Sequence, residues 1–204
     1  MKKEEAKIRL EKMRQKGFFI PTHKAYFSSM LKTEVLLHSL NKTPIWNIPK
    51  RNFIIKRMFK EVKGKPYSIQ KPFYVTGGEY ITIGKNFYTN FNCTILGRAD
   101  IVIGDNVWLG PNVTITTIGH PANFKARRIK TGKNSFEPEH RMNVEKISPV
   151  KIGNDVWICS GSVICAGVTI GDNCIIGAGS IVTGDIPPNT FACGVPCKVV
   201  KTLP

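Results

Sequence analysis

The stretch Ile152-Gly153-Asn154-Asp155-Val156-Trp157, Ile158-Cys159-Ser160-Gly161-Ser162-Val163, Ile164-Cys165-Ala166-Gly167-Val168-Thr169, Ile170-Gly171-Asp172-Asn173-Cys174-Ile175, Ile176-Gly177-Ala178-Gly179-Ser180-Ile181, Val182-Thr183-Gly184-Asp185-Ile186-Pro187 decides the fold. It divides into sixes without a gap. Every first position is Ile or Val, and Gly153, Gly171 and Gly177 fill second positions. Upstream, Ile83-Gly84-Lys85-Asn86 opens another hexad, and Ile103 to Trp108, Leu109 to Thr114 and Ile115 run in register with each other. A period of six is neither the 3.6 of a helix nor the plain 2 of a strand. It marks a hexapeptide β-helix, in which each hexad forms one short strand and a corner. Three hexads, about 18 residues, close one triangular coil, and the aliphatic first residue stacks on its equivalent one coil away. Small or glycine positions let the backbone turn without a Cβ clash.

The period is absent before about residue 70 and again from Pro121 to Pro149. Two helical patterns precede the repeat. Ala6, Leu10 and Met13 share a helical face, with Glu4 and Glu5 suiting a helix start and Gly17 a stop. Ile54, Ile55, Met58 and Phe59 form the second, ahead of Gly64. The expected organisation is a helical cap over 1–70 and a β-helix domain over 71–204, interrupted by loop 121–149 and ended by a C-terminal tail. A long structureless loop inside a compact domain is usually functional.

The chain has 204 residues, with Lys+Arg 30 against Asp+Glu 14 and a net charge of +16. Such an excess points to an anionic partner: a nucleotide cofactor, a nucleic acid, a membrane or an acidic glycan. The first 65 residues hold 17 Lys/Arg and 5 Asp/Glu, net +12. No apolar run reaches the roughly 20 residues of a membrane span. The charged N-terminus has no secretory h-region, so a cytoplasmic location is expected. The 6 cysteines form no CxxC pair and no zinc-type spacing with histidine, so they read as small buried thiols and no metal is expected. Cys159 and Cys165 lie six apart, on different faces of a coil, and so cannot pair.

His120 is the only one of 4 histidines inside the periodic region, at the point where the chain leaves the coil. An imidazole titrates near neutral pH and suits general-base work. At this point the sequence resembles the galactoside and maltose O-acetyltransferases. Phe87-Tyr88-Thr89-Asn90-Phe91-Asn92, Ile103-Gly104-Asp105-Asn106-Val107, Gly110-Pro111-Asn112-Val113-Thr114 and Gly119-His120-Pro121 carry the likeness. So do Val168 to Asn173, Ile176 to Thr183, Asp185 to Asn189 and Gly194 to Val199. The likeness runs over about residues 50–201, and Arg51 to Phe59 looks like the end of that family's helical cap.

The resemblance implies an all-β, left-handed parallel β-helix with a small N-terminal α-helical cap and a long loop excursion. It implies a homotrimer with sites between subunits, acetyl-CoA as acetyl donor and a sugar or glycan hydroxyl as acceptor. It makes His120 the general base, with the backbone N–H of Ser160 donating to the oxyanion. It also places Asn90, Tyr88 and Trp157 near the acceptor, Ala178 and Thr183 along the pantetheine groove, and Lys198 and Lys201 at the phosphates. Glu145 resembles a loop glutamate near the family's histidine; the two readings are a carboxylate that orients the imidazole and a plainly solvated side chain.

The chain departs from the family at Arg98, where an acidic acceptor residue is expected. Loop 121–149 is also long and carries Lys125, Arg127, Arg128 and Lys130. Arg98 is therefore expected at the acceptor pocket, favouring an anionic glycan. Other readings are a xenobiotic (antibiotic) O-acetyltransferase with the same mechanism and a non-catalytic anion-binding β-helix protein. A zinc enzyme of the γ-carbonic anhydrase type needs three converging histidines, whereas only His120 lies in the coil. A nucleic-acid binder has no recognised motif here. Neither nucleic acid nor integral membrane contact is expected.

Overall fold

The computed structural model describes residues 15–19, 24–65, 67–130 and 141–204. The hexads form a triangular prism of three parallel sheets. On the first face Val62, Ile83, Ile103, Ile152 and Ile170 stack in register, and Ile186 bridges to Ile170. Ile69, Thr89, Leu109, Ile158, Ile176 and Ala192 stack on the second. Val75, Ile95, Ile115, Ile164 and Val182 stack on the third. All but Val62 are buried, and together they are the core. A fully buried Ile or Leu contributes about 1.5–3 kcal/mol, so the ladders are the main source of stability.

The corner between the first and second faces explains the Asn and Asp residues of the repeat. Asn86, Asn106, Asp155, Asn173 and Asn189 all take the left-handed conformation there, with φ of 52, 58, 56, 52 and 57°. Asn and Asp tolerate that region best among residues with a Cβ. They also bond to one another along the prism: Asn86 Nδ2 donates to Asn106 Oδ1 at 3.2 Å, and Asn106 Nδ2 to Asp155 Oδ1 at 2.7 Å. The glycine two places before each of the first four, Gly84, Gly104, Gly153 and Gly171, is needed for close approach. A Cβ on Gly104 would lie 2.5 Å from the Gly153 carbonyl oxygen.

The coil is less uniform than its period of 18 suggests. After the loop, Ile152 pairs with Ile170, which is 18 positions on. Before it, Ile83 pairs with Ile103 and Thr89 with Leu109, both 20 positions on. From Ile69 onward the extra residues enter at one corner, between the third face and the next first face. Gly77–Tyr80, Gly97–Asp100 and the long excursion after Thr116 occupy it in successive coils. The last hexad is also shortened: Ile186 is not a fifth-position residue but the inward partner of Ile170, four places after Val182.

The excursion is partly ordered. Ile118–Gly119 pairs antiparallel with Glu145–Ile147, and Arg128–Lys130 with Arg141–Asn143. Phe18–Phe19 adds a third strand against Glu145–Lys146. The base of the expected loop is thus a small sheet, and residues 131–140 lie outside the described residues.

Helices α1 (Lys24–Lys42) and α2 (Ile48–Met58) close one end of the prism. α2 answers to the expected pattern at Ile54, Ile55 and Met58, which are buried. It starts at an Asn47 cap followed by Pro49 in the first turn. α1 had no counterpart in the sequence reading, because only Thr33 and Leu40 are buried along its described part. The expected helix over Ala6 to Met13 lies outside the described residues. The coil begins at Glu61–Val62, ahead of the boundary expected at residue 70. No helix among the described residues is long and apolar enough to cross a membrane.

Candidate active site

His120 stands where the chain leaves the prism, one residue beyond the strand Ile118–Gly119, and its side chain is exposed. Nδ1 lies 3.0 Å from the Val144 carbonyl oxygen. A carbonyl only accepts, so Nδ1 must carry the proton, and the neutral ring keeps its lone pair on Nε2. The same hydrogen bond fixes the ring plane. The sequence reading missed Val144, because a backbone carbonyl has no signature in side-chain chemistry.

Glu145 does not orient the ring. Its carboxylate lies 3.4 Å from Arg98 Nε, with side chains 14% and 10% exposed. Arg98 also donates through Nη1 to the Gly97 carbonyl at 3.1 Å, and its backbone N–H donates to Thr117 Oγ1 at 2.8 Å. Arg98 was expected to present a charge at the acceptor pocket. It is instead buried, and its charge is matched within the chain by Glu145. The physical reason is its place in the inserted corner Gly97–Asp100, directly beneath the base of the excursion. An anionic acceptor preference therefore draws no support from Arg98.

The other expected residues fall into three groups. Asn90 and Ser160 lie with Ala178 along the corner between the second and third faces. Asn90 Oδ1 accepts from the Phe91 N–H at 2.9 Å, which fixes the amide and leaves Nδ2 without a partner among the described residues. The Ser160 N–H likewise donates to no atom among the described residues, while its neighbours Cys159 and Gly161 donate to Ile176 and Pro111. Gly110 lies immediately beneath, and a Cβ there would sit 2.7 Å from the Ser160 nitrogen.

The second group lies on the outer side of the second face. Tyr88, Trp108, Trp157, Ile175 and Phe191 follow one another in register. Trp157, Ile175, Ala178, Phe191 and Leu203 line a largely apolar groove of about 410 Å³, with Lys201 at its rim and Cys159 on its wall. Burial pushes the Cys159 thiol above the ordinary range, so a neutral thiol rather than a thiolate faces the groove near pH 7. Ala178 and Lys201 were expected here; Trp157 was expected near the acceptor and instead lines this groove, and Ile175, Phe191 and Leu203 were not expected. Trp108, Trp157 and Ile175 hold the sixth place of their hexads, which points outward, and apolar residues at an outward place were the available signal. Lys198 is exposed in the terminal hairpin opposite Cys193 and does not line the groove.

Thr183, expected along the pantetheine groove beside Ala178, does not line it; it follows the third-face strand Ile181–Val182 and shares with His120 the far edge of that face. The intervening strand Thr114–Thr116 has three residues and spans roughly 10 Å. One chain thus places its imidazole on one edge of the third face, and its free Ser160 N–H and apolar groove on the other side. No group of three or more His, Cys, Asp or Glu among the described residues is placed to hold a metal ion.

Residues 149–184 match the bacterial transferase hexapeptide family (six repeats), so the prism is that of a hexapeptide-repeat transferase. A galactoside O-acetyltransferase of Escherichia coli K12 is 44% identical over 174 residues, spanning 85% of this chain and 78% of its own. One from Lactococcus lactis is 35% identical over 186 residues, spanning 91% and 83%. Among solved structures, a galactoside acetyltransferase in complex with coenzyme A aligns with a TM-score of 0.85 at 40% identity, over 96% of this chain and 91% of that one. A maltose O-acetyltransferase from Clostridium difficile aligns with a TM-score of 0.82 at 38% identity, over 92% of each. The chain belongs to the galactoside and maltose O-acetyltransferase family of hexapeptide-repeat acyltransferases.

Proposed function

We propose that this chain transfers the acetyl group of acetyl-CoA to a hydroxyl of a sugar or glycan, with His120 as general base. The observation that carries the reading is the His120–Val144 hydrogen bond, which leaves Nε2 as the one basic ring atom of an exposed side chain. A sugar hydroxyl is a weak nucleophile, and an imidazole within hydrogen-bond reach removes its proton as it attacks the thioester carbonyl. The uncommitted Ser160 N–H is suited to receive the negative charge that develops on that oxygen. We assign Asn90 Nδ2, which has no partner among the described residues, and Tyr88 to the acceptor.

The groove fits the donor. Its apolar walls suit a linear pantetheine arm, and exposed Ala178 adds little bulk at its edge. Lys201 at the rim, with Lys198 in the same terminal strand, supplies hydrogen-bond donors for phosphates. Thr183, on the imidazole's edge of the third face, would reach the donor only from a neighbouring copy. The relative solved with coenzyme A supports the same donor. Because the imidazole and the groove occupy different sides of one prism, we place each site between neighbouring copies, with a homotrimer as the assembly. We assign the reaction to the cytoplasm, a reading supported by the use of acetyl-CoA as donor.

The test is thiol release from acetyl-CoA with a panel of neutral and anionic sugars, for wild type and His120→Ala. The variant should lose roughly 10²–10⁴-fold in kcat while still binding acetyl-CoA. An unchanged kcat removes His120 from the mechanism.

A further inference from the structure

The helical cap carries an apolar surface that neither the core nor the site uses. Ile45, Trp46, Ile48 and Phe53 are all exposed, Trp46 at 79%. Single exposed apolar residues are ordinary, but four fall within nine positions across the α1–α2 turn and the first half of α2, and Ile45 and Ile48 share one groove there with Arg51 and Tyr67. The patch is held firmly. The buried Arg51 guanidinium donates to the Leu40 and Thr43 carbonyls at 3.0 Å each and to that of Ile69, pinning the α1–α2 turn on which Ile45 and Trp46 sit.

Cations share this surface. Lys42, Lys50, Lys56 and Arg57 are exposed, and Lys50, Lys56 and Arg57 lie one helical turn from Phe53 on the outer side of α2. The Arg57 guanidinium sits 5.2 Å from the Phe53 ring centroid. Over residues 24–65 there are ten Lys/Arg against Glu34 and Glu61.

We propose that this face of the cap docks peripherally on an anionic lipid surface. Lipid headgroup regions take Trp, Phe and Ile beside Lys and Arg on one surface, the rings and aliphatic groups leaving water while the cations meet phosphate. Ile45 and Ile48 argue against a nucleic acid, since aliphatic side chains gain nothing from phosphodiesters and do not stack as rings do. Charge argues against a second copy of the chain. Residues 66–204 hold 13 Lys/Arg and 9 Asp/Glu, so the prism is net basic and does not complement a basic cap. Because α1 and α2 are too polar to span a bilayer, attachment is at its surface.

Co-sedimentation with vesicles tests this without reference to catalysis. Wild type should bind vesicles of phosphatidylcholine mixed with phosphatidylglycerol in low salt, release in high salt, and leave pure phosphatidylcholine vesicles in solution. Lys50→Gln/Lys56→Gln/Arg57→Gln should lower partitioning by roughly a hundredfold, about fivefold for each cation lost. Trp46→Ala/Phe53→Ala should lower it by about tenfold or more at unchanged charge. All five side chains are exposed, so both variants should melt with wild type. Equal binding to the two vesicle types, or either variant partitioning like wild type, overturns the proposal. So does a fall in the lipid-free sedimenting mass of Trp46→Ala/Phe53→Ala, which would make the face a contact between copies. Polyuridylate binding that competes with vesicles and is untouched by Trp46→Ala/Phe53→Ala overturns it in favour of a nucleic acid.

Discussion

Arg98→Ala probes how the imidazole is held. Arg98 ties together both strands at the base of the excursion. Its backbone N–H reaches Thr117, three residues before His120, and its guanidinium reaches Glu145, the residue after the carbonyl that fixes His120. Removing it leaves the Glu145 carboxylate largely buried without its partner. Breaking a fully buried pair costs about 3–5 kcal/mol. Here the side chains keep 10% and 14% exposure, and the 3.4 Å contact is not an aligned hydrogen bond, so about 2–4 kcal/mol is the appropriate scale. For a chain of this size that is a fall in Tm of roughly 5–12 °C. If the Val144 carbonyl shifts with Glu145, ring placement degrades, and kcat should fall by roughly 10–100-fold with less change in the KM for acetyl-CoA. Arg98→Lys, which keeps the charge, should recover part of both losses, and so should the exchange Arg98→Glu/Glu145→Arg. Calorimetry and thiol release measure the two effects. An Arg98→Ala protein that melts with wild type and turns over at the wild-type rate would refute the reasoning.

Two further outcomes follow from the site and the core. Gly110→Ala places a methyl group 2.7 Å from the Ser160 nitrogen, so it should lower kcat by roughly tenfold or more by displacing or covering that N–H, as thiol-release kinetics will read. Burial, partly offset by backbone hydrogen bonds, holds the Cys93 thiol at about 11, against 9.0 for an ordinary thiol. A group whose pKa is raised by folding stabilises the protein fully below its unfolded value and loses that contribution as pH rises through its folded value. Stability should therefore decline from about pH 9 to 11, by roughly 2–3 kcal/mol from this group. Melting curves across that range should show a shallower decline in Cys93→Ala, and parallel slopes would remove Cys93 as a cause.

The relation between chain and fold differs from element to element. The coil was legible because its period is local: each hexad forms a strand and corner from its own residues, and stacking follows from repetition. The helix Lys24–Lys42 was not legible, since it buries little and its pattern is set by what it leans on. The 20-residue coils were obscured because the extra residues enter at one corner and leave the inward positions intact.

For the site, the sequence alone singled out the side chains to which the proposed chemistry is assigned: an imidazole at the exit from the coil, small residues along the groove and lysines after the last hexad, in the final strand. Only the tertiary structure decided how they are held. Val144 meets His120 across 24 positions of an excursion, and Arg98 finds Glu145 across that same excursion. Those contacts depend on antiparallel pairing of strands whose register is fixed by the prism beneath them, not by any repeat in the excursion itself. The same folding that committed Arg98 to the interior left Trp46 and its lysines outside, because burial is a property of neighbours in space and a residue's identity gives only its preference.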